Sequence, residues 1–337
     1  MDWKPFGNES WSEGRAKPIR VVLGATGSSV FRRSSSWGLM ARKKVPLKRL
    51  TQLVASIFFF EFSRLWEVVR RLRSNLVRGR CVVLSYHSVR SEHRAQFARQ
   101  MDILLRRARP TRVDRKETLS PGVHYAAVTF DDGYQNVIEN ALPELEKRRI
   151  PSTIFIITEA LGKYPHWLTE PHGSARHTKV MSSNQLRNLP LDLVTVGSHT
   201  MTHPALPALN DTDAKRELSE SRAQLEKMLE REIRLFSFPY GAFNPKLIEW
   251  CREAGYERVF TVVPTLTFFD PREFVSGRVP VEPTDWPLEF RLKLMGAYRW
   301  LPVAFSLKRR VLSIPLLRAL RKPNTEVGVN GCSSSAA

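Results

Sequence analysis

Between residues 81 and 281 the chain alternates short apolar runs with longer segments in which apolar residues recur at helical spacing. The runs are Cys81–Tyr86, Ala126–Phe130, Ser152–Ile157, Leu193–Val196, Arg234–Phe238, Val259–Val263 and Val275–Val281. Each is too short for a stable helix, and most are rich in Val, Ile and Phe, so each predicts a buried strand. Helical spacing fills the intervals at 93–108, 135–149, 183–189, 211–232 and 245–254. Asp211 or Asp213 is placed to cap the fourth of these, and Gly255 follows the last. Alternation of this kind predicts an α/β fold with a mostly parallel sheet, as a barrel or as an open doubly wound sheet. In either form, chemistry is expected on polar residues just past the strand C-termini.

The flanks read differently. Residues 47–77 predict one helix, with Leu50, Val54, Ile57, Phe58, Leu65, Val68, Val69, Leu72 and Leu76 at helical spacing and Arg49, Arg64, Arg70, Arg71 and Arg73 among them. Phe58-Phe59-Phe60, Phe62 and Trp66 make it more apolar than a surface helix needs. Two readings fit: a helix packed on the domain, or an anchor in an anionic lipid interface. A cleaved signal peptide fits less well, because the apolar run ends at Glu61 with no small-residue cleavage site. Residues 287–322 predict a second basic amphipathic segment. Residues 1–40 and 323–337 lack periodicity and read as disordered, and Met40-Ala41-Arg42-Lys43-Lys44 looks like an alternative start. The expected divisions are 1–40, 41–80, 81–285, 286–322 and 323–337.

Charge sharpens this division. The 337 residues carry a formal net charge of +20 and are 42% hydrophobic, enough for a sizeable core. Residues 1–80 hold 17 Lys and Arg against 5 Asp and Glu, residues 81–285 hold 27 against 26, and residues 286–337 hold 9 against 2. The excess therefore sits on the flanks, and the central domain is near neutral. Cys81, Cys251 and Cys332 include no CxxC pair, which excludes a disulfide framework and a cysteine-type zinc site. No run of about 18 apolar residues marks a spanning helix.

Three clusters follow predicted strands. In Thr129-Phe130-Asp131-Asp132-Gly133-Tyr134, two adjacent carboxylates cannot both be core residues, since an unpaired buried charge is costly. Their side chains diverge, so one can bind a metal while the other faces substrate; the plainer reading is a solvated turn with an Asp cap. In Gly197-Ser198-His199-Thr200-Met201-Thr202-His203-Pro204, the two histidines share a face if the segment is helical. With Asp132 they make a three-ligand site with open positions, which is the geometry of a catalytic metal. Alone they are two surface histidines. Phe236-Ser237-Phe238-Pro239-Tyr240-Gly241 is a rigid turn whose backbone N–H groups can face an oxyanion, or simply a turn.

The order TFDDGY, SHTMTH, FPYG resembles the polysaccharide deacetylase family, the NodB-homology domain of carbohydrate esterase family four. Leu84-Ser85-Tyr86-His87-Ser88-Val89 and Gly277-Arg278-Val279-Pro280-Val281 resemble its branch acting on poly-N-acetylglucosamine and related exopolysaccharides. The resemblance covers roughly 81–285. It implies a distorted (β/α)7 barrel, here with basic amphipathic helical flanks, and metal-dependent N- or O-deacetylation of an N-acetylated polysaccharide or glycan. It implies Asp131 as general base, Asp132, His199 and His203 as metal ligands, and the Tyr240 N–H as oxyanion donor. Zinc suits an Asp-His-His set, and iron, cobalt, nickel or manganese can substitute.

Two departures stand out. The family's third motif begins with an Arg that holds the base, and Ser237 stands there, which makes Arg278 a candidate for the missing cation. The family's late Leu-x-His acid is absent, and no histidine follows His203, so His87 is the candidate acid. The Asp285-Trp286 pair is similar to the family's Asp-Trp motif but comes late in the chain. Rival readings are a non-haem iron oxygenase, which lacks the expected HxD/E pairing, and an inactive, membrane-associated glycan-binding module. A nucleic-acid partner is not expected, because no recognised nucleic-acid motif accompanies the basic flanks. Peripheral membrane contact through those flanks is expected, at the cell envelope or an inner-membrane surface, on a side the sequence does not choose.

Overall fold

The apolar runs become parallel strands. In the structure, a computed structural model describing residues 46–73, 79–167 and 178–312, these are β1 Arg80–Tyr86, β3 His124–Phe130, β4 Ser152–Ile156, β5 Val194–Ser198, β6 Leu235–Ser237 and β7 Arg258–Thr261. The seventh run splits into β8 Val275–Gly277 and β9 Val279–Pro280, separated by Arg278 alone. The order is β8-β7-β6-β5-β4-β3-β1-β9, and every pairing is parallel. β8 pairs with β7, at Thr261 opposite Gly277, while β9 pairs with β1, at Leu84 opposite Val279. One interrupted strand thus bridges the two edges and nearly closes a seven-stranded barrel, as the (β/α)7 reading expects.

Strand periodicity sorts the side chains into two layers. Val82, Leu84 and Tyr86 of β1 and Ala126, Val128 and Phe130 of β3 join the large cluster under the helices. Cys81, Val83, Tyr125 and Ala127 alternate with them and meet Phe155, Leu235 and Phe260 in the barrel interior. Ser85, Thr129 and Ser237 continue the inward set, and all three are buried. Asp131 comes two residues after Thr129, so the β3 register already aims it inward.

The outer helices are α2 Arg94–Arg107, α3 Leu142–Arg148, α4 Ser183–Arg187, α5 Asp211–Leu229 and α6 Pro245–Glu253. Their limits differ from expectation for local reasons. Asn210, not Asp211 or Asp213, caps α5, its side chain accepting from the Asp213 N–H at 2.9 Å. The helix stops at Leu229 because Glu230 turns left-handed (φ 53°). The segment expected to be helical at 135–149 opens as a π turn, Val137–Ala141, before α3. A two-residue β2, Arg109–Pro110, pairs with Tyr125 and Ala126 of β3, below the part of β3 taken by β4.

The N-terminal flank is α1 Leu47–Arg73, and the C-terminal flank contains α7 Pro287–Leu294, a 3-10 turn Ala297–Trp300 and α8 Leu301–Leu312. Leu53, Ile57 and Phe60 of α1 pack with Leu292, Ala297 and Tyr298. Polar contacts tie the same seam: Trp300 Nε1 donates to Ser56 Oγ at 2.9 Å and Arg49 pairs with Glu289 at 2.6 Å, while farther along α1 Glu67 pairs with Arg80 of β1 at 2.7 Å. No helix among the described residues is long and apolar enough to cross a membrane. The segments read as disordered, 1–40 and 323–337, lie outside the described residues, as do 74–78 and 313–322.

Candidate active site

The three clusters meet at the C-terminal mouth of the barrel. Asp131 and Asp132 follow β3, His199 and His203 follow β5, Tyr240 follows β6, Arg278 lies between β8 and β9, and His87 follows β1.

Asp132, His199 and His203 converge, each offering a ligand atom within 4.8 Å of the others. Asp132 Oδ1 stands 3.5 Å from His199 Nε2 and 3.4 Å from His203 Nε2. That oxygen is buried and has no hydrogen-bond partner. A buried carboxylate oxygen facing two imidazole nitrogens is the donor set of a divalent cation, so the residues fit the expected metal. His199 Nδ1 lies 2.7 Å from the Ser237 carbonyl and donates to it, which leaves Nε2 as the lone-pair nitrogen turned to the site. Burial pushes the His203 imidazole well below its usual range, keeping it a neutral ligand, and pushes the Asp132 carboxyl up.

The histidine pair does not converge through helical spacing. Residues 199–203 form a loop, with Thr200 at φ 72° and His203 at φ 65°. Thr200 Oγ1 accepts from the His203 N–H at 3.1 Å and itself donates to the His199 carbonyl. Glu217 of α5, buried, accepts from the Met201 N–H (2.7 Å), the Thr202 N–H (3.1 Å) and the Thr202 hydroxyl (2.6 Å). Asp132 (φ 67°) and Tyr240 (φ 57°) are left-handed as well. Four non-glycine residues in this region at one mouth indicate backbone strain held by surrounding contacts. After Asp132, Gly133 is left-handed too (φ 66°), and a Cβ there would meet Ile156 Cδ1 at 2.7 Å.

Asp131 has a separate partner. Arg278 grips it with two parallel bonds, Nη1 to Oδ1 at 2.7 Å and Nη2 to Oδ2 at 2.8 Å. Nη2 also donates to Ser237 Oγ (2.7 Å) and Nη1 to Thr129 Oγ1 (3.2 Å). Arg278 is 0% exposed. Burial alone would raise the Asp131 carboxyl, but the Arg278 guanidinium beside it outweighs burial and holds it well below the carboxylate range. The cation missing at position 237 is therefore present, delivered from another strand, and Ser237 is one of its hydrogen-bond partners.

Tyr240 is 46% exposed, its ring edge-on to His203 with centroids 4.6 Å apart, and Trp167 flanks His203 from another side at 4.9 Å. His87 is exposed, one residue past β1. No hydrogen bond joins it to either aspartate. Asp285 does not join this group; it pairs with Lys293 at 2.7 Å, and its neighbour Trp286 stacks with Arg49. Sequence reasoning missed Glu217, Trp167 and the Ser237 carbonyl. The first two carry no motif, and a backbone carbonyl has no sequence signature.

Residues 119–259 match the polysaccharide deacetylase family. YxkH of Bacillus subtilis (strain 168), which is named as a polysaccharide deacetylase, is 25% identical over 212 residues, covering 60% of this chain and 71% of its own. A poly-beta-1,6-N-acetyl-D-glucosamine N-deacetylase of Staphylococcus epidermidis is 28% identical over 144 residues, covering 40% of this chain and 47% of its own. Among solved structures, IcaB from Ammonifex degensii superposes with a TM-score of 0.54 at 26% identity, over 65% of this chain and 99% of its own. BC0361, a polysaccharide deacetylase from Bacillus cereus, shares the fold with a TM-score of 0.52 at 22% identity, over 64% of this chain and 69% of its own.

Proposed function

We propose that this chain, whose residues 119–259 match the polysaccharide deacetylase family, hydrolyses an acetyl group, N-linked, from a hexosamine-containing polysaccharide, with Asp131 as the general base. The observation that supports this best is the pairing of two carboxylates with opposite environments. Asp131 is locked by Arg278 and kept ionised, while its neighbour Asp132 faces two imidazoles with an unpartnered oxygen.

Asp132, His199 and His203 would hold the metal. When bound, it supplies Lewis-acid polarisation of the acetyl carbonyl and eases deprotonation of water at neutral pH. The chain's own residues do the rest. Asp131 takes a proton from the water that attacks the carbonyl carbon. Arg278 is a positioning residue: its fork fixes the plane of the Asp131 carboxylate. The Tyr240 N–H, on its left-handed turn, donates to the developing oxyanion. His87 gives a proton to the sugar nitrogen as the C–N bond breaks, releasing acetate and a free amine. N-acetylglucosamine polymers are the substrate class suggested by the Staphylococcus epidermidis relative.

The test is acetate release from N-acetylglucosamine oligomers by metal-stripped and zinc-reconstituted protein, with Asp131→Asn and His87→Gln alongside. Zinc-dependent release lost in Asp131→Asn is expected, and near wild-type turnover in His87→Gln would remove His87 from the mechanism. Tight zinc binding without release would redirect the search to lipid-linked or O-acetylated sugars, and neither release nor zinc binding would favour the glycan-binding module instead.

A further inference from the structure

Helix α1 has two apolar faces, and the fold uses one. Leu53, Ile57 and Phe60 pack on the C-terminal flank. On the opposite face Leu47, Leu50, Val54, Phe58, Phe62, Leu65 and Trp66 all stand exposed, Phe58 at 72%. At 27 residues the helix is about 40 Å long, and the stripe covers most of that length. A contiguous apolar surface of this extent on a folded chain marks a contact with something else.

Charge says what that is. The segment 1–80 holds 17 Lys and Arg against 5 Asp and Glu. A second copy would bring the same excess against itself, so self-pairing along α1 is opposed. A nucleic acid would answer the charge but not an aliphatic and aromatic stripe. Lys48 and Arg64 border the stripe, and the acid on it, Glu61, has Arg64 Nη1 at 3.8 Å. We propose that the outer face of α1 docks on an anionic lipid bilayer, the helix lying in the interfacial plane without crossing it.

The packing then fixes an orientation. Near its start α1 touches Thr284 and Glu289, just past β9 at the mouth, through Arg49. Near its end Glu67 pairs with Arg80, the first residue of β1 at the barrel floor. The helix runs down the barrel wall, so a bilayer under α1 lays the barrel on its side with its mouth opening along the membrane surface.

The test uses the full chain and vesicles of phosphatidylcholine, alone or mixed with phosphatidylglycerol, and needs no catalytic activity, so it stands or falls apart from the deacetylase reading. Co-sedimentation with the mixed vesicles at low salt is expected. The Phe58→Ser/Phe62→Ser double variant should lose roughly tenfold or more of it while melting and zinc binding hold. Three results would overturn the proposal: no binding to mixed vesicles, binding unchanged in the double variant, or a dimer in ultracentrifugation that the same double variant dissolves.

Discussion

Removing the Arg278 guanidinium would leave the Asp131 carboxylate buried with its charge uncompensated. Arg278→Met should therefore destabilise the protein by about 3–5 kcal/mol and cut turnover by roughly a hundredfold or more. Adding Asp131→Asn should recover part of the stability and none of the activity; a double-mutant cycle by urea unfolding and acetate release reads both, and additive losses would show that the two residues act separately. Glu217 is tested differently, since it bonds no metal ligand and holds the loop between His199 and His203 through Met201 and Thr202. Glu217→Ala should weaken zinc affinity about 10–100-fold with Asp132, His199 and His203 intact, as measured by competition with a chelating dye. At this scale the carboxylates and histidines were legible because their chemistry is local in sequence. Arg278 was legible only as a candidate, because its partner lies 147 residues away. Glu217 was not legible at all, since a Glu on an amphipathic helix reads as a solvated face.

Elements were legible where their apolar period was strong and less so at their ends. The boundaries moved because of caps and left-handed residues such as Asn210 and Glu230, which a period does not encode. The split of the seventh run at Arg278 was hidden for another reason: Val275–Val281 reads as one strand, and only barrel closure makes it change partners. His124, at the start of β3, shows how an element junction acquires a pH dependence. Its Nε2 meets the Leu294 carbonyl at 2.9 Å, and burial first, then the Arg80 charge, lower its pKa from 6.5 to about 4. The unfolded chain therefore binds this proton at a higher pH than the folded one. The stability it supports is full above pH 6.5 and is lost as pH falls toward 4, by up to about 3 kcal/mol. His124→Gln should flatten the unfolding free energy over that window; an unchanged slope would exclude His124 as its source.

At the scale of the whole molecule, the charge count divided a near-neutral centre from basic flanks, and the structure packs α7 into the main core through Phe290 and Leu294, with α1 resting on the C-terminal segment. The count could not show that Arg49 and Ser56 of α1 are bonded to α7 and its following turn, since those contacts join residues some 240 positions apart. The metal set should stiffen the assembly. Zinc at a hundred times its dissociation constant should add about 2.7 kcal/mol to the stripped protein, and His203→Ala should abolish the gain in melting temperature. The interruption at Arg278 reaches further than chemistry or folding taken singly. The side chain that leaves the strand at the seam of the barrel also anchors the base, so an error there damages shape and turnover together. Ser237, which takes one bond from the same guanidinium, is fully buried as well, so losing its hydroxyl would leave that bond unmet where no water reaches it. The seam is therefore fastened by two residues from different strands, and a change at either one is felt at the other.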